Sequence, residues 1–374
     1  MPVDRTLAQD LVDTLVALYD DAAVRIAQEV ARQLRRNAGD VSAPAKLGAI
    51  NDLRNATRRI VAKLDADTTG VAHQALVLAW QRGGNAALDE LKRYLTPAEM
   101  AALRQALPGA EAINVLVKAL VTTLRGTHLQ VLRWPLDAYR DVIARTALTP
   151  VLLGTKSRLA AAQTAWDQLL SQGITGFVDK SGRRWQLASY VEMATRTGVM
   201  QASIEAHNDR LNAAGVDLRM ISDSPQECIR CRPWEGKILA TSGPPGPRTI
   251  ERRSLVSDEM LTIHIAGTLD EAIAAGLFHP NCRHNSNGYL PGATKPITHT
   301  EDPEGDAARQ KLRRLERNVR TAKLQADAAI TDEGRKLAEA KVRAINKQIR
   351  DHVADTSITT LFRQRHREQI GTAR

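Results

Sequence analysis

The sequence predicts a mainly α-helical protein with a small α+β domain in the second half of the chain. Three observations predict it. Apolar residues recur at near-helical spacing toward both ends of the chain. Aromatic residues make up only 3% of the composition and alanine is abundant, which suits long helices better than β-sandwiches. The middle of the chain alone mixes short β-like runs with Gly/Pro turns, and it holds all 3 cysteines. At 374 residues the chain exceeds what one hydrophobic core usually serves. The composition changes divide it into a helical N-terminal domain at 1–154, an α+β domain at 155–298 and basic C-terminal helices at 299–374.

The first helix is expected over "TLAQDLVDTLVALYDDAAVRIAQEVARQL", where Leu7, Leu11, Leu15, Leu18, Val24, Ile26 and Val30 mark one apolar stripe. "APAKLGAINDLRNATRRIVAKLDA" and "GVAHQALVLAWQRGGNAALDELKRYL" predict two further helices. Thr96, Pro97 and Glu99 form a helix start, a capping box with proline at the first helical position. The next helix is expected from Glu111 through Trp134, with breaks at Pro135 and Pro150.

In the middle segment "FVDKSGRRWQL" reads as a short hairpin with Lys180, Ser181 and Gly182 at its tip. "ASYVEMATRTGVMQASIEAHNDRLNAAG" predicts a helix that ends at Gly215. "VDLRMIS" is a strand leading into the cysteines, and Lys237 to Ala240 is another, followed by a Gly/Pro-rich loop. A short helix is expected after Thr268, and "HPNCRHNSNGYLPG" is expected to lack regular structure. Helical periodicity returns from Asp306. Leu312, Leu315, Val319 and Ala322 mark one stripe, and Leu337, Val342, Ile345, Ile349 and Val353 a second. Such a hairpin of helices must pack on the rest of the chain or on a partner.

The formal charge is +10, which favours an acidic partner such as nucleic acid or an acidic protein surface. The segment from Thr300 to Arg374 carries 17 Lys and Arg against 12 Asp and Glu. No block of like charges marks a dedicated nucleic-acid arm, and solvated helix faces explain a mild basic bias. No apolar run approaches the roughly 20 residues of a membrane-spanning helix. The acidic start "MPVDRTLAQDLVDTLVALYDD" lacks the apolar core of a signal peptide, and the odd cysteine count argues against a disulfide framework; a reducing compartment is expected.

Cys228-x-x-Cys231 puts two thiolates on one tight turn, and Cys282 offers a third. His284 or His279 would complete a tetrahedral zinc site, with His264 an outside choice. The Cys-x-His spacing of Cys282 and His284 is not a usual half-site. Buried thiols beside a hydrogen-bonded histidine are the plainer reading. A third reading is a zinc-dependent nuclease of the HNH type or another metal hydrolase, since "HPNCRHNSNG" is rich in His and Asn, but no helix follows to carry its second metal ligand. No Gly-rich phosphate loop, H-E-x-x-H or G-x-S-x-G motif is present. Trp234 beside the cysteines is expected to cap a small core, and Arg196 would need a partner if it faces inward.

"CIRCRPWEGKI" followed by "GLFHPNCRHNSNGYLPG" resembles the signature of tailed-phage minor head proteins of the Mu F-like group, and more narrowly of the phage minor capsid protein 2 family. The upstream "GITGFVDKSGRRWQLASYVEMATRT" and the closing "LRRLERNVRTAKLQA" and "FRQRHREQ" are similar to that family's flanking elements. The likeness runs from Thr155 to the C-terminus; the first 150 residues or so carry no family signal beyond helical content. The resemblance implies a non-enzymatic head-morphogenesis protein of the virion. It would be assembled in the host cytoplasm, internal to the capsid and associated with the portal. Its implied partners are portal and capsid or scaffolding proteins, with non-specific contact to packaged DNA. In relatives the position matching His284 is often cysteine, an exchange that suits a zinc ligand and puts His284 ahead of His279.

Overall fold

The computed structural model describes residues 9–37, 42–105, 110–146, 157–173, 175–178, 184–224, 228–280, 282–295, 297, 301–355 and 361–370. Its helices are α1 (Gln9–Arg36), α2 (Ala43–Leu91), α3 (Pro97–Gln105), α4 (Ala110–Arg125), α5 (His128–Thr146), α6 (Arg158–Gln172), α7 (Leu187–Ala213), α8 (Leu269–Ala274), α9 (Pro303–Asp327) and α10 (Asp332–Ala354). Its strands are β1 (Thr175–Val178), β2 (Arg184–Gln186), β3 (Leu218–Ile221), β4 (Ile238–Ala240), β5 (Arg248–Arg253), β6 (Met260–Ile265), β7 (Gly267–Thr268) and β8 (Ser286–Gly288). The fold is mainly α with a small α+β portion. None of these helices is long and apolar enough to cross a membrane. The chain forms two compact units from non-contiguous segments. One comprises Met1–Val12, Ala72–Leu120 and Met193–Arg309; the other comprises Asp13–Val71, Val121–Glu192 and Gln310–Arg374.

The second of these units is helical apart from the β1–β2 hairpin. On α1 the expected Leu11, Leu15, Ile26 and Val30 are buried, as are Tyr19 and Leu34; Leu18 and Val24 are half-buried, and Leu7 lies outside the described residues. The Tyr19 hydroxyl meets Nε2 of His128 at 3.1 Å, and burial raises the phenol pKa to about 12. The stretch around Gly70, expected to separate two helices, lies inside the 49-residue α2. Nothing there forces a stop. Thr68 donates its hydroxyl to its own helix at Leu64 O, 2.6 Å away, and an exposed helical glycine costs only about 1 kcal/mol against alanine. The reverse occurs downstream. The helix expected through Trp134 stops at Arg125, where Thr127 N and Oγ1 both donate to Leu124 O at 3.0 and 2.6 Å. Pro135 then sits inside α5, on the buried face with Val131, Trp134, Ala138 and Tyr139. Packing of that face offsets the lost backbone bond. The expected break at Pro150 and the hairpin tip at Lys180, Ser181 and Gly182 lie outside the described residues.

The C-terminal helices dock on α6. Trp166, fully buried, donates Nε1–H to Ala328 O at 2.8 Å. The Gln163 side-chain carbonyl accepts from Ile330 N and Thr331 N at 2.6 and 2.9 Å, which satisfies the turn between α9 and α10. The α9 stripe is buried as expected, but Leu337 is 65% exposed, and the inward face of α10 runs through Gly334, Ala338, Ile349 and His352.

The other unit holds a four-stranded sheet in the order β7-β4-β3-β8. β3 is antiparallel to β4 and to β8, and β4 is parallel to β7. β5 and β6 form a separate hairpin that the sequence reading took in part as loop. β8 corrects the expectation of no regular structure after His279. Ser286-Asn287-Gly288 has little strand propensity, and the open edge of β3 supplies the pairing. Helix α7 ends where expected. Gly215, at φ 77°, closes a Schellman turn in which Val216 N donates to Leu211 O and Gly215 N to Asn212 O, both at 2.9 Å. The Thr96 capping box is present, with Thr96 N donating to Glu99 Oε2 at 2.8 Å and Glu99 N to Thr96 Oγ1 at 3.3 Å.

Candidate metal centre

The pairing of β3 with β8 explains why residues 51 positions apart meet. β3 runs out at Ile221 opposite Ser286, where β8 begins. Past that point Ser222 N donates to Asn285 O at 3.0 Å, and Asn285 N to Ser222 Oγ at 3.1 Å. The chain leaving β3 therefore passes close to the chain entering β8. Each carries a tight turn. In the first, Cys231 N donates to Cys228 O at 3.0 Å; in the second, Cys282 N donates to His279 O at 2.8 Å. The two turns have the same i, i+3 spacing and the same closing hydrogen bond.

The turns bring the sequence-predicted residues together. His279 Nε2 lies 3.0 Å from Cys228 Sγ. Cys231 Sγ lies 3.5 Å from Cys282 Sγ, and Cys282 Sγ lies 3.5 Å from His284 Nδ1. The donor atoms form two triads, Cys228–Cys231–His279 and Cys231–Cys282–His284, which share the buried Cys231. Ordinary Zn–S and Zn–N bond lengths imply tetrahedral edges of about 3.5–3.8 Å, close to the two longer separations. His264, in contrast, is exposed on β6 and meets Thr249 Oγ1 at 3.1 Å, outside the cluster.

The far side of each imidazole is also fixed. His279 Nδ1 lies 2.8 Å from Pro280 O. His284 Nε2 contacts Glu235 Oε1, which also accepts from Ser224 N at 3.2 Å. His284 and Glu235 are both buried, at 2% and 3% exposure. A histidine whose second nitrogen is held by a carboxylate or carbonyl is the usual arrangement around a metal. The hydrogen bond with Cys231 lowers the Cys282 pKa to about 4, with His284 adding to it, so Cys282 is held toward thiolate. The same bond pushes Cys231 up, helped by burial. Burial works against the charged form of His284, but Cys282 and Glu235 outweigh it and raise its pKa.

Sequence reasoning missed Glu235 as a partner of the site. Its only signal was a carboxylate one residue beyond Trp234, in a stretch expected to be buried. It also missed Phe278, whose φ of 56° makes it the sole non-glycine with positive φ among the described residues. A bulky residue in that conformation is strained. It is held by packing on the small core of Ile221, Cys231, Leu239, Leu269, Ala272 and Leu277, and Trp234 packs there too, as expected. A cleft of about 260 Å³ adjoins the cluster, with His279, Cys282, His284, Glu205 and Arg196 among its walls. Burial raises the pKa of Glu205, and Arg196 Nη2 reaches Gln9 Oε1 at 3.4 Å.

Comparison with known proteins follows from this picture of a helical protein with a Cys/His cluster. A protein named "Structural protein" from Lactococcus phage LL-H is 27% identical over 251 residues, 64% of this chain. The match spans 63% of that relative's length. No solved structure matches. Residues 4–354 match the family described as Phage minor capsid protein 2. The family signal thus extends through the N-terminal helices, where the sequence reading found none; amphipathic helices recur in unrelated proteins, and their stripes name no family by themselves. The chain belongs to the phage minor capsid protein 2 family.

Proposed function

We propose that the protein is a minor structural component of a tailed-phage head, internal to the capsid, associated with the portal and in non-specific contact with packaged DNA. The observation that carries this reading is the family match over residues 4–354. The net charge of +10 suits a compartment filled with DNA. Portal rings of the cognate phage should capture the purified chain in sedimentation. Duplex DNA binding should be weak at physiological salt and fall steeply as salt rises. Failure to co-sediment with portal, capsid or scaffolding proteins would count against the head-assembly role.

The cleft beside the cluster favours one rival, a metal hydrolase using His279 and Glu205. In that case His279→Ala would abolish a metal-dependent nuclease or hydrolase activity with the fold intact. A capsid protein shows no such activity in the wild-type chain.

A further inference from the structure

We infer that the cluster binds one structural zinc ion through the thiolates of Cys228, Cys231 and Cys282 and Nδ1 of His284, with Glu235 as the residue that positions the imidazole. The inference does not depend on the virion role. Three thiolates and an imidazole are the soft and borderline donors that select zinc over magnesium or calcium. Cys231 is the pivot: it belongs to both triads of donor atoms and is fully buried. An ion seated against it would take Cys282 and His284 from one triad and draw in Cys228, whose thiol lies beside His279 in the other.

His284 is the fourth ligand because it is buried and its second nitrogen is held by a buried carboxylate. Nδ1 faces Cys282 at 3.5 Å, and Nε2 is held by the buried Glu235, which Ser224 N anchors in turn. His279 is also held at both nitrogens, by Cys228 Sγ at 3.0 Å and Pro280 O at 2.8 Å, but it is only half-buried and its second partner is a main-chain carbonyl. Four protein ligands fill the zinc tetrahedron and leave no position for an activated water, so the site is closed and structural rather than hydrolytic. The ion would join the turn leaving β3 to the turn entering β8. The core there is small, with Ile221, Leu239, Leu269 and Leu277 its largest buried side chains. The competing use of these thiols is a Cys231–Cys282 disulfide, since the sulfurs lie 3.5 Å apart.

The test uses the full chain purified under reducing conditions in the presence of zinc salt. Metal content is measured by elemental mass spectrometry on the wild type and on His284→Ala, His279→Ala and Glu235→Gln. About one zinc per chain is expected in the wild type and in His279→Ala, with loss in His284→Ala. Glu235→Gln should keep the metal and weaken its affinity roughly 10–100-fold in chelator competition. Strong chelator should lower the wild-type Tm by about 10 °C or more. If His284→Ala does not fold, the absorption spectrum of the cobalt-substituted wild type decides. Intense tetrahedral thiolate bands support the site. Their absence overturns it, as does a wild type that retains no zinc or carries a Cys231–Cys282 disulfide. Zinc lost from His279→Ala but kept in His284→Ala overturns the ligand assignment.

Discussion

Gly83→Val is expected to leave the chain unable to fold, and Gly83→Ala to cost about 2–4 kcal/mol. A Cβ built at Gly83 would lie 2.1 Å from Ser203 O and 2.8 Å from Ser203 Cα and carbonyl carbon, all backbone atoms of α7. No side-chain rotation relieves that clash; the helices must separate. Separation is costly because the crossing is tight throughout. Ser203 donates Oγ–H to Ala79 O at 3.0 Å, and Ala79, Ala86, Ala87, Ala202 and Ala206 are buried around it. Moving α7 also displaces His207 from Glu90 Oε1, 2.9 Å away, and that carboxylate in turn accepts from Gly288 N on β8 at 3.0 Å. Gly70→Ala is the control. Nothing lies within 4 Å of its Cβ position, so it should stabilise by about 0.5–1 kcal/mol through helix propensity. Urea denaturation of both variants measures the contrast. A Gly83→Ala chain as stable as Gly70→Ala would contradict the close crossing.

Arg219→Met is expected to cost about 2–4 kcal/mol. Arg219 lies on β3 with no exposed surface. Its guanidinium makes five hydrogen bonds: Nε to Asn208 Oδ1, Nη1 to the carbonyls of Val216 and Leu218, and Nη2 to Asn208 O and Asn212 Oδ1, at 2.6–3.1 Å. Burial lowers its pKa to about 10, which leaves it charged at neutral pH. None of the five acceptors is itself charged. The bonds tie the last turns of α7 to the sheet, and Asn208 also accepts from Ser286 Oγ on β8 at 3.3 Å. Methionine fills similar space but strands the amide and carbonyl oxygens without donors. Arg219→Lys should fall between, because an ammonium offers three donors and cannot span the fork. Equal stability of the methionine and wild-type chains in urea would refute this assignment.

Neither residue could be picked out from the sequence, and the reason is physical. Gly83 sits beside Gly84 in a helix, and only the third dimension distinguishes the one against Ser203 backbone from its neighbour. Arg219 alternates with apolar residues in a strand and reads as its exposed face; the two asparagines that receive it lie on a different element. What periodicity carries was legible: most of the α1 stripe, the Thr96 capping box, the Gly215 stop and the position of α8 stand where local chemistry put them. Punctuation was less reliable where packing overrides propensity, as at Gly70 and Pro135. β8 was illegible because its strand character belongs to β3. At the cluster, residue types and spacing pointed to Cys228, Cys231, Cys282, His279 and His284, and β3–β8 pairing puts them in one place. Glu235 was hidden because a carboxylate's partner 49 residues away leaves no local mark.

The central claim is that this chain is a virion component. Quantitative mass spectrometry of purified particles from a lysate encoding it tests that claim most directly, with external protease applied before disassembly. The account predicts peptides from across the chain at a few to a few tens of copies per particle, protected from the protease until the particle is opened. Absence from mature particles, or removal by external protease, would contradict it.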